Sequence, residues 1–143
     1  MEADMNVAYT AHATATGGRE GHSRSDDGKV DVALTPPKEL GGSGTGVNPE
    51  QLFAAGYAAC YLGAIKFAAG KEKVKISDDA KVTAHVGIGE RDDKEGFGLT
   101  VTLDVSLPGI DKAKAEDLVR KGHVVCPYSH ATRGNISVKT NVV

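Results

Sequence analysis

The stretch Asn48-Pro49-Glu50-Gln51-Leu52-Phe53-Ala54-Ala55-Gly56-Tyr57-Ala58-Ala59-Cys60, which stays apolar as far as Ile65, decides how this chain folds. Asn48 has the side-chain oxygen of a helix cap, Pro49 suits the first helical position, and Glu50 puts an anion where the helix dipole favours one. The helix is expected to run to about Ala69, with Gly70 as its stop. Leu52 to Ile65 is fourteen residues without a charge, short of the roughly 20 that span a bilayer. Apolar residues lie on every side, so the segment reads as a helix central to the fold. Many are small, among them Ala54, Ala55, Ala58, Ala59 and Gly63, which lets a second helix approach closely.

Upstream, Thr35 to Val47 contains Pro36-Pro37 and Gly41-Gly42-Ser43-Gly44-Thr45-Gly46, a loop by composition. Before it, Val7, Tyr9, Ala11, Ala13 and Ala15 alternate with Thr10, His12, Thr14 and Thr16, the period of a half-buried strand. Gly17-Gly18 breaks that strand and Arg19 follows at the bend. His22 to Ser25 and Lys29 to Leu34 flank the turn Asp26-Asp27-Gly28 and suggest a hairpin-rich N-terminal sheet. Downstream, Val82, Ala84, Val86 and Ile88 alternate, and Phe97 to Leu107 alternates more regularly before Pro108-Gly109. A second helix is expected from Asp111, with Ala115, Leu118, Val119, Gly122 and Cys126 along one face, disrupted by Pro127. Ile136 to Val143 alternates again and closes the sheet. The pattern is α+β, with antiparallel sheets packed on two helices in a single domain over 1–143.

Composition excludes several functions. Hydrophobic residues make up 40% and charged residues 25%, an ordinary balance. A net charge of −2 and no basic run leave no footprint for nucleic acid, and the absence of Trp argues against a base-stacking surface. Met1 to Tyr9 carries Glu2 and Asp4 and no apolar run, so no secretory leader is expected and the default location is cytoplasmic. Thiols stay reduced there, and two cysteines are more often catalytic, redox-active or metal-binding than a static staple.

Cys60 falls in the middle of the core helix and Cys126 at the end of the amphipathic one. Two buried helices in one small domain pack together, so the thiols can meet; each is also a typical small buried hydrophobe. A nucleophilic cysteine must be a thiolate, and a nearby cation favours that form. Arg19, Arg133, His123 and His130 are the candidates, although Arg19 alone reads equally as a solvated turn residue. Glu50 can orient an arginine through a bidentate pair or simply complement the helix N-terminus. Cys60 lies close to three turns beyond Glu50, on about the same side and about 15 Å along the axis. A Cys/His metal-binding module built from His123, Cys126, His130 and Cys60 is a further reading, weakened by Pro127 breaking the register. The Gly-rich loop lacks the Gly-Lys-Ser/Thr ending of a phosphate-binding loop.

Taken together, Gly17-Gly18-Arg19-Glu20-Gly21, Pro37-Lys38-Glu39-Leu40-Gly41-Gly42, the Asn48 to Cys60 stretch and His123-Val124-Val125-Cys126-Pro127-Tyr128-Ser129-His130-Ala131-Thr132-Arg133-Gly134-Asn135 resemble the organic hydroperoxide resistance (Ohr) proteins of the Ohr/OsmC family. The resemblance covers nearly the whole chain in order. It implies an OsmC-like fold, an intertwined homodimer with central helices wrapped by sheets from both chains, and active sites at the subunit interface. By the same resemblance Cys60 matches the peroxidatic cysteine, Cys126 the resolving one, Arg19 the arginine that activates the thiolate, and Glu50 the acid that holds it. The implied activity is reduction of alkyl and fatty-acid hydroperoxides with no bound cofactor. A Cys60 sulfenic acid condenses with Cys126 to a disulfide, which the dihydrolipoyl group of a lipoylated protein reduces. A thiol redox sensor that forms the same disulfide without turnover is the alternative.

Overall fold

The decisive stretch forms α1, Pro49–Lys71, which starts at the expected proline and passes Gly70 by one residue. The computed structural model describes residues 5–143. Glu2 and Asp4, read above against a leader, lie outside them. The chain forms two compact units, the first ending at Pro49 and the second running from Glu50 to Val143.

In the first unit, β1 (Ala13–Thr16), β2 (His22–Ser25) and β3 (Asp31–Ala33) form an antiparallel sheet in chain order. The Asp26-Asp27-Gly28 turn is where the sequence puts it. The Ser25 hydroxyl donates to Asp27 at 2.7 Å, and Gly28 takes a left-handed φ of 76°. The first strand is shorter than its alternation suggests. Its ladder begins at Ala13, all four of its residues are exposed, and Val7 and Tyr9 are 67% and 80% exposed. Period-two patterning marks a segment fit to cover a surface; it does not guarantee that the same chain supplies one. The glycine-rich loop is tied at its ends by Thr35 N–H to the Val47 carbonyl and Val47 N–H to the Ala33 carbonyl. Leu34 is the one buried residue among those described in this unit.

The second unit has a true core. The strands β4 (Lys81–Glu90) and β5 (Phe97–Ser106) pair antiparallel over ten residues each. The expected closing strand is β6 (Val138–Val142), but it pairs with β5 in parallel, where the sequence pattern implied antiparallel sheets. Alternation reports which residues share a face and says nothing about direction. Here two helices lie between β5 and β6, the long crossover that parallel pairing needs. They are α2 (Lys112–Val125), whose Asp111 cap accepts from Lys114 N–H at 2.9 Å, and α3 (Pro127–Thr132). Pro127 does end α2 as expected, yet it also starts α3, since proline fits the first helical position.

Tyr57, Tyr61, Ala64, Ile65, Ala68 and Ala69 of α1 fall at helical spacing on one buried face. They pack with Val101, Leu103 and Val105 of β5 and Ala115, Leu118 and Val119 of α2. Each fully buried large side chain contributes about 1.5–3 kcal/mol. Gly122 lets α2 sit directly on α1: a Cβ there would lie 2.8 Å from Ile65 Cγ1. The other side of α1 keeps Leu52 and Phe67 exposed, so within one chain this helix is buried on one face only. By length and composition α1 suffices to cross a bilayer; its Tyr57, Tyr61 and Ile65 are instead fully buried in the protein core.

Candidate active site

The helix packing brings the two cysteines together. Cys60 sits halfway along α1, and Cys126 occupies the junction where α2 ends and α3 begins. Their sulfurs are 3.5 Å apart, with the Cys126 thiol directed at Cys60. Both are free thiols. A disulfide requires about 2.05 Å, so a closure of about 1.5 Å separates this reduced pair from a bond. The two members differ in access: Cys126 is fully buried, whereas Cys60 is half-buried.

Backbone amides reach both sulfurs. Ser129 N–H donates to Cys126 Sγ at 3.5 Å, and the Tyr128 N–H reaches Cys60. Burial pushes the Cys60 thiol up from its ordinary value, the neighbouring Cys126 thiol pushes it further, and the Tyr128 amide only partly opposes them. These groups of the second unit therefore oppose ionisation of Cys60. Three aromatic rings of α1 and α3 cluster together. Phe53 stacks on Tyr128 at 6.0 Å, and both meet the ring of Tyr57. A Cβ at Gly56 would lie 3.3 Å from the Tyr128 ring, so the glycine admits that ring against α1.

Behind Cys126 lies a chain of polar side chains. Tyr57 OH is 2.8 Å from Ser129 Oγ, which is 2.8 Å from His123 Nδ1; His123 Nε2 is 2.7 Å from Thr140 Oγ1. The His123 ring also lies against Tyr61, at 4.5 Å between centroids. Burial, and then the charge of Arg133, hold the His123 imidazole below its ordinary value. His123 is thus a neutral, hydrogen-bonded ring and supplies no cation to the thiols. Arg133 donates to the His123 backbone carbonyl. His130 is exposed, and among the described residues no three His, Cys, Asp or Glu side chains are grouped to hold a metal. A cavity of about 220 Å³ opens beside this chain, lined by Tyr57, His123, Ser129 and Arg133 among others; neither sulfur lines it.

Arg19 lies in the first unit, exposed in the single helical turn Gly18–Glu20. That turn needs its glycines. Gly17 and Gly18 take φ values of 72° and 60°, and a Cβ on Gly21 would lie 1.7 Å from the Thr16 carbonyl oxygen. Glu50 is in the first turn of α1, at the start of the second unit, and is partly buried. Within its own unit the structure thus joins Cys60 with Cys126 and puts Arg19 on a glycine-built bend. Reading the sequence missed Tyr57, Ser129 and Thr132, which have no periodic signature of their own. Ser129 stands three residues after Cys126, the spacing at which a helix-capping side chain meets a backbone amide.

Comparison with known proteins places the chain. Residues 42–141 match the OsmC-like protein family. The organic hydroperoxide resistance protein of Xanthomonas axonopodis pv. citri is 54% identical, covering 96% of each chain. The crystal structure of the organic hydroperoxide resistance protein OhrB of Bacillus subtilis is similar, with a TM-score of 0.87 and 43% identity over 96% of this chain and all of that one. An organic hydroperoxide resistance protein from Elizabethkingia anophelis, crystallised with thiocyanate bound, gives a TM-score of 0.90 at 49% identity, covering 96% of this chain and 98% of that one. A family match over most of the chain, and identity of this order along nearly its full length, show that this protein belongs to the OsmC-like family, among the organic hydroperoxide resistance proteins.

Proposed function

We propose that this chain is a thiol-dependent peroxidase that reduces organic hydroperoxides to alcohols. The observation that carries the reading is the asymmetric thiol pair, with sulfurs 3.5 Å apart, Cys60 half-buried and Cys126 fully buried. A peroxide arriving from solvent meets Cys60 first, and Cys126 is already in place behind it. The Cys60 thiolate attacks the distal peroxide oxygen, the O–O bond breaks, and the alkoxide takes a proton to leave as alcohol. The resulting sulfenic acid condenses with the Cys126 thiol, forming the S–S bond and releasing water, which protects Cys60 from further oxidation. A dithiol then reduces the disulfide by exchange.

Arg19 is assigned as the cation that favours the Cys60 thiolate, and Glu50 as its holder; both roles rest on the family resemblance. The upward push on the Cys60 thiol supports the need for such a cation, since burial and Cys126 both oppose ionisation. A homodimer with active sites at its interface accounts for Val7, Tyr9, Leu52 and Phe67, apolar side chains left exposed in a single chain. The reductant is the dihydrolipoyl group of a lipoylated protein, no cofactor is bound, and the protein acts in the cytoplasm.

The test is turnover of cumene hydroperoxide by wild type, Cys60→Ser and Cys126→Ser, with dihydrolipoamide and thioredoxin compared as reductants. Cys60→Ser is expected to lose all turnover and Cys126→Ser to lose sustained turnover with dihydrolipoamide. Activity surviving in Cys60→Ser would sink the assignment. Disulfide formation without turnover in the wild type would make the protein a redox sensor instead.

A further inference from the structure

Cys126 lies on a joint. It is at once the C-terminal cap of α2, its N–H still bonded to the Gly122 carbonyl, and the N-terminal cap of α3, its carbonyl accepting from His130 N–H. Pro127 removes the amide that would otherwise continue the first helix. A helix joint without further support bends, and a sulfur at its apex moves with it. Two side chains span this joint, each three residues from Cys126. His123, on the last turn of α2, is hydrogen bonded through Nδ1 to Ser129 Oγ, on the first turn of α3, at 2.8 Å.

Both ends of that bridge are anchored. His123 Nε2 is held by Thr140 of β6 at 2.7 Å, and its ring lies on Tyr61 of α1. Ser129 Oγ is held by Tyr57 OH of α1 at 2.8 Å. Ser129 is also the residue whose backbone N–H donates to Cys126 Sγ. The amide that holds the sulfur therefore belongs to the side chain that the histidine holds. Tyr57 and Tyr61, the other two contacts, come from the turns of α1 that flank or adjoin Cys60. Every one of these hydroxyls has a partner, and among the described residues no buried side-chain nitrogen or oxygen is left without one. A fully satisfied buried network of this kind specifies one geometry.

We infer that His123 and Ser129 form a clamp across the α2–α3 joint that positions Cys126 for condensation with the Cys60 sulfenic acid. The inference rests on the peroxidase reading, in which Cys126 resolves. Neither residue touches the peroxide, so both are positioning residues. Condensation forms the Sγ–Sγ bond, breaks the S–O bond of the sulfenic acid and releases water; no further oxidant or reductant enters. The sulfurs must close by about 1.5 Å from their present 3.5 Å to the roughly 2.05 Å of a disulfide. A misplacement of about 1 Å in such a step costs up to about a hundredfold in rate.

The experiment separates the two chemical steps. Reduced wild type, His123→Ala, His123→Asn and Ser129→Ala are each mixed with one equivalent of cumene hydroperoxide and quenched over time. Mass spectrometry then counts sulfenic acid, disulfide and sulfinic acid. In His123→Ala, loss of peroxide proceeds at the wild-type rate while disulfide closure slows by about tenfold to a hundredfold, and a second equivalent of peroxide then converts the persisting sulfenic acid to sulfinic acid. His123→Asn, whose amide still reaches Ser129, restores much of the closure rate. Ser129→Ala removes the same bridge from its other end, keeps the amide donor to Cys126, and reproduces the alanine phenotype if His123→Ala fails to fold. Closure at the wild-type rate in the folded alanine variants overturns the clamp, as does equal slowing of both steps or no gain from asparagine. A wild type that consumes peroxide without forming the Cys60–Cys126 disulfide overturns the underlying reading instead, and the wild-type trace alone shows which has failed.

Discussion

The two sheets of this molecule are built on different terms. The N-terminal one has strands of three and four residues, and Leu34 alone is buried among the described residues of its unit. The C-terminal one has two ten-residue strands, and its central strand buries Val101, Leu103 and Val105 against side chains of α1 and α2. The thiols lie with the second, where packing holds two sulfurs in register. The arginine assigned to activate them lies with the first, on a bend made of glycines. Rigid burial suits a pair that must bond to each other. An exposed bend suits a charge that must meet a substrate arriving from solvent.

That division predicts different failures. The largest effect is expected from Arg19→Ala, which removes charge stabilisation without touching a core. Peroxide reduction should fall by about a hundredfold to a thousandfold, with the melting temperature unchanged. Its direction with pH also follows. Burial and Cys126 hold the Cys60 thiol above its ordinary value, so without the cation the acid limb of the rate profile moves to higher pH. A stopped-flow profile that falls in rate but does not move would show that Arg19 binds the peroxide only.

Next comes a pair of substitutions, one in each unit. Leu103→Ala, in the fully buried core, should destabilise by about 2–5 kcal/mol in urea unfolding. Tyr9→Ser, at a position 80% exposed in the single chain, would cost within about 0.5 kcal/mol if that side chain faced water. The proposed dimer predicts a larger loss than that, and one that diminishes as protein concentration rises. A cost within the surface range at every concentration would remove the Val7 to Tyr9 segment from the interface.

The smallest effect is a pH slope. His123 is held below its ordinary value, first by burial and then by Arg133. The unfolded chain takes up a proton near pH 6.5, the ordinary histidine value, where the folded ring does not. Stability is therefore complete above about pH 6.5 and declines as pH falls toward the folded value. Urea titrations from pH 8 to 5 should show that decline in the wild type and a shallower one in His123→Asn.

Much of the fold was legible from residues 48–60 outward, because the signals there are local. Pro49 opens α1, Asp111 caps α2, and the Asp26-Asp27-Gly28 turn falls between β2 and β3; in each case neighbouring atoms settle the conformation. Where the reading missed, the missing information was non-local. The alternation at Val7 to His12 announced a half-buried strand, but among the described residues none covers it, and Val7 and Tyr9 stay exposed. Ile136 to Val143 announced a closing strand, but only the crossover through α2 and α3 makes it parallel. Apolar residues all round α1 announced a buried helix, yet one chain buries a single face. The candidate site divides in the same way. Cys60 and Cys126 stood out by type and by helix position, whereas Tyr57 and Ser129 did not, since hydroxyls that partner each other across 72 residues leave no pattern along the chain.

The sequence by itself determined where the helices start, which faces are apolar, that Cys60 sits on a helix and Cys126 at the end of one, and, through its motifs, the family. Those properties depend on backbone dihedrals, caps and periodicity, which act over a few residues. Tertiary structure alone decided that the sulfurs meet at 3.5 Å, that one is accessible and the other is not, and that His123 is a neutral link rather than a cation. Distance, burial and the charge state of a buried ring are set by what packs around an atom, and those neighbours come from parts of the chain far away in sequence.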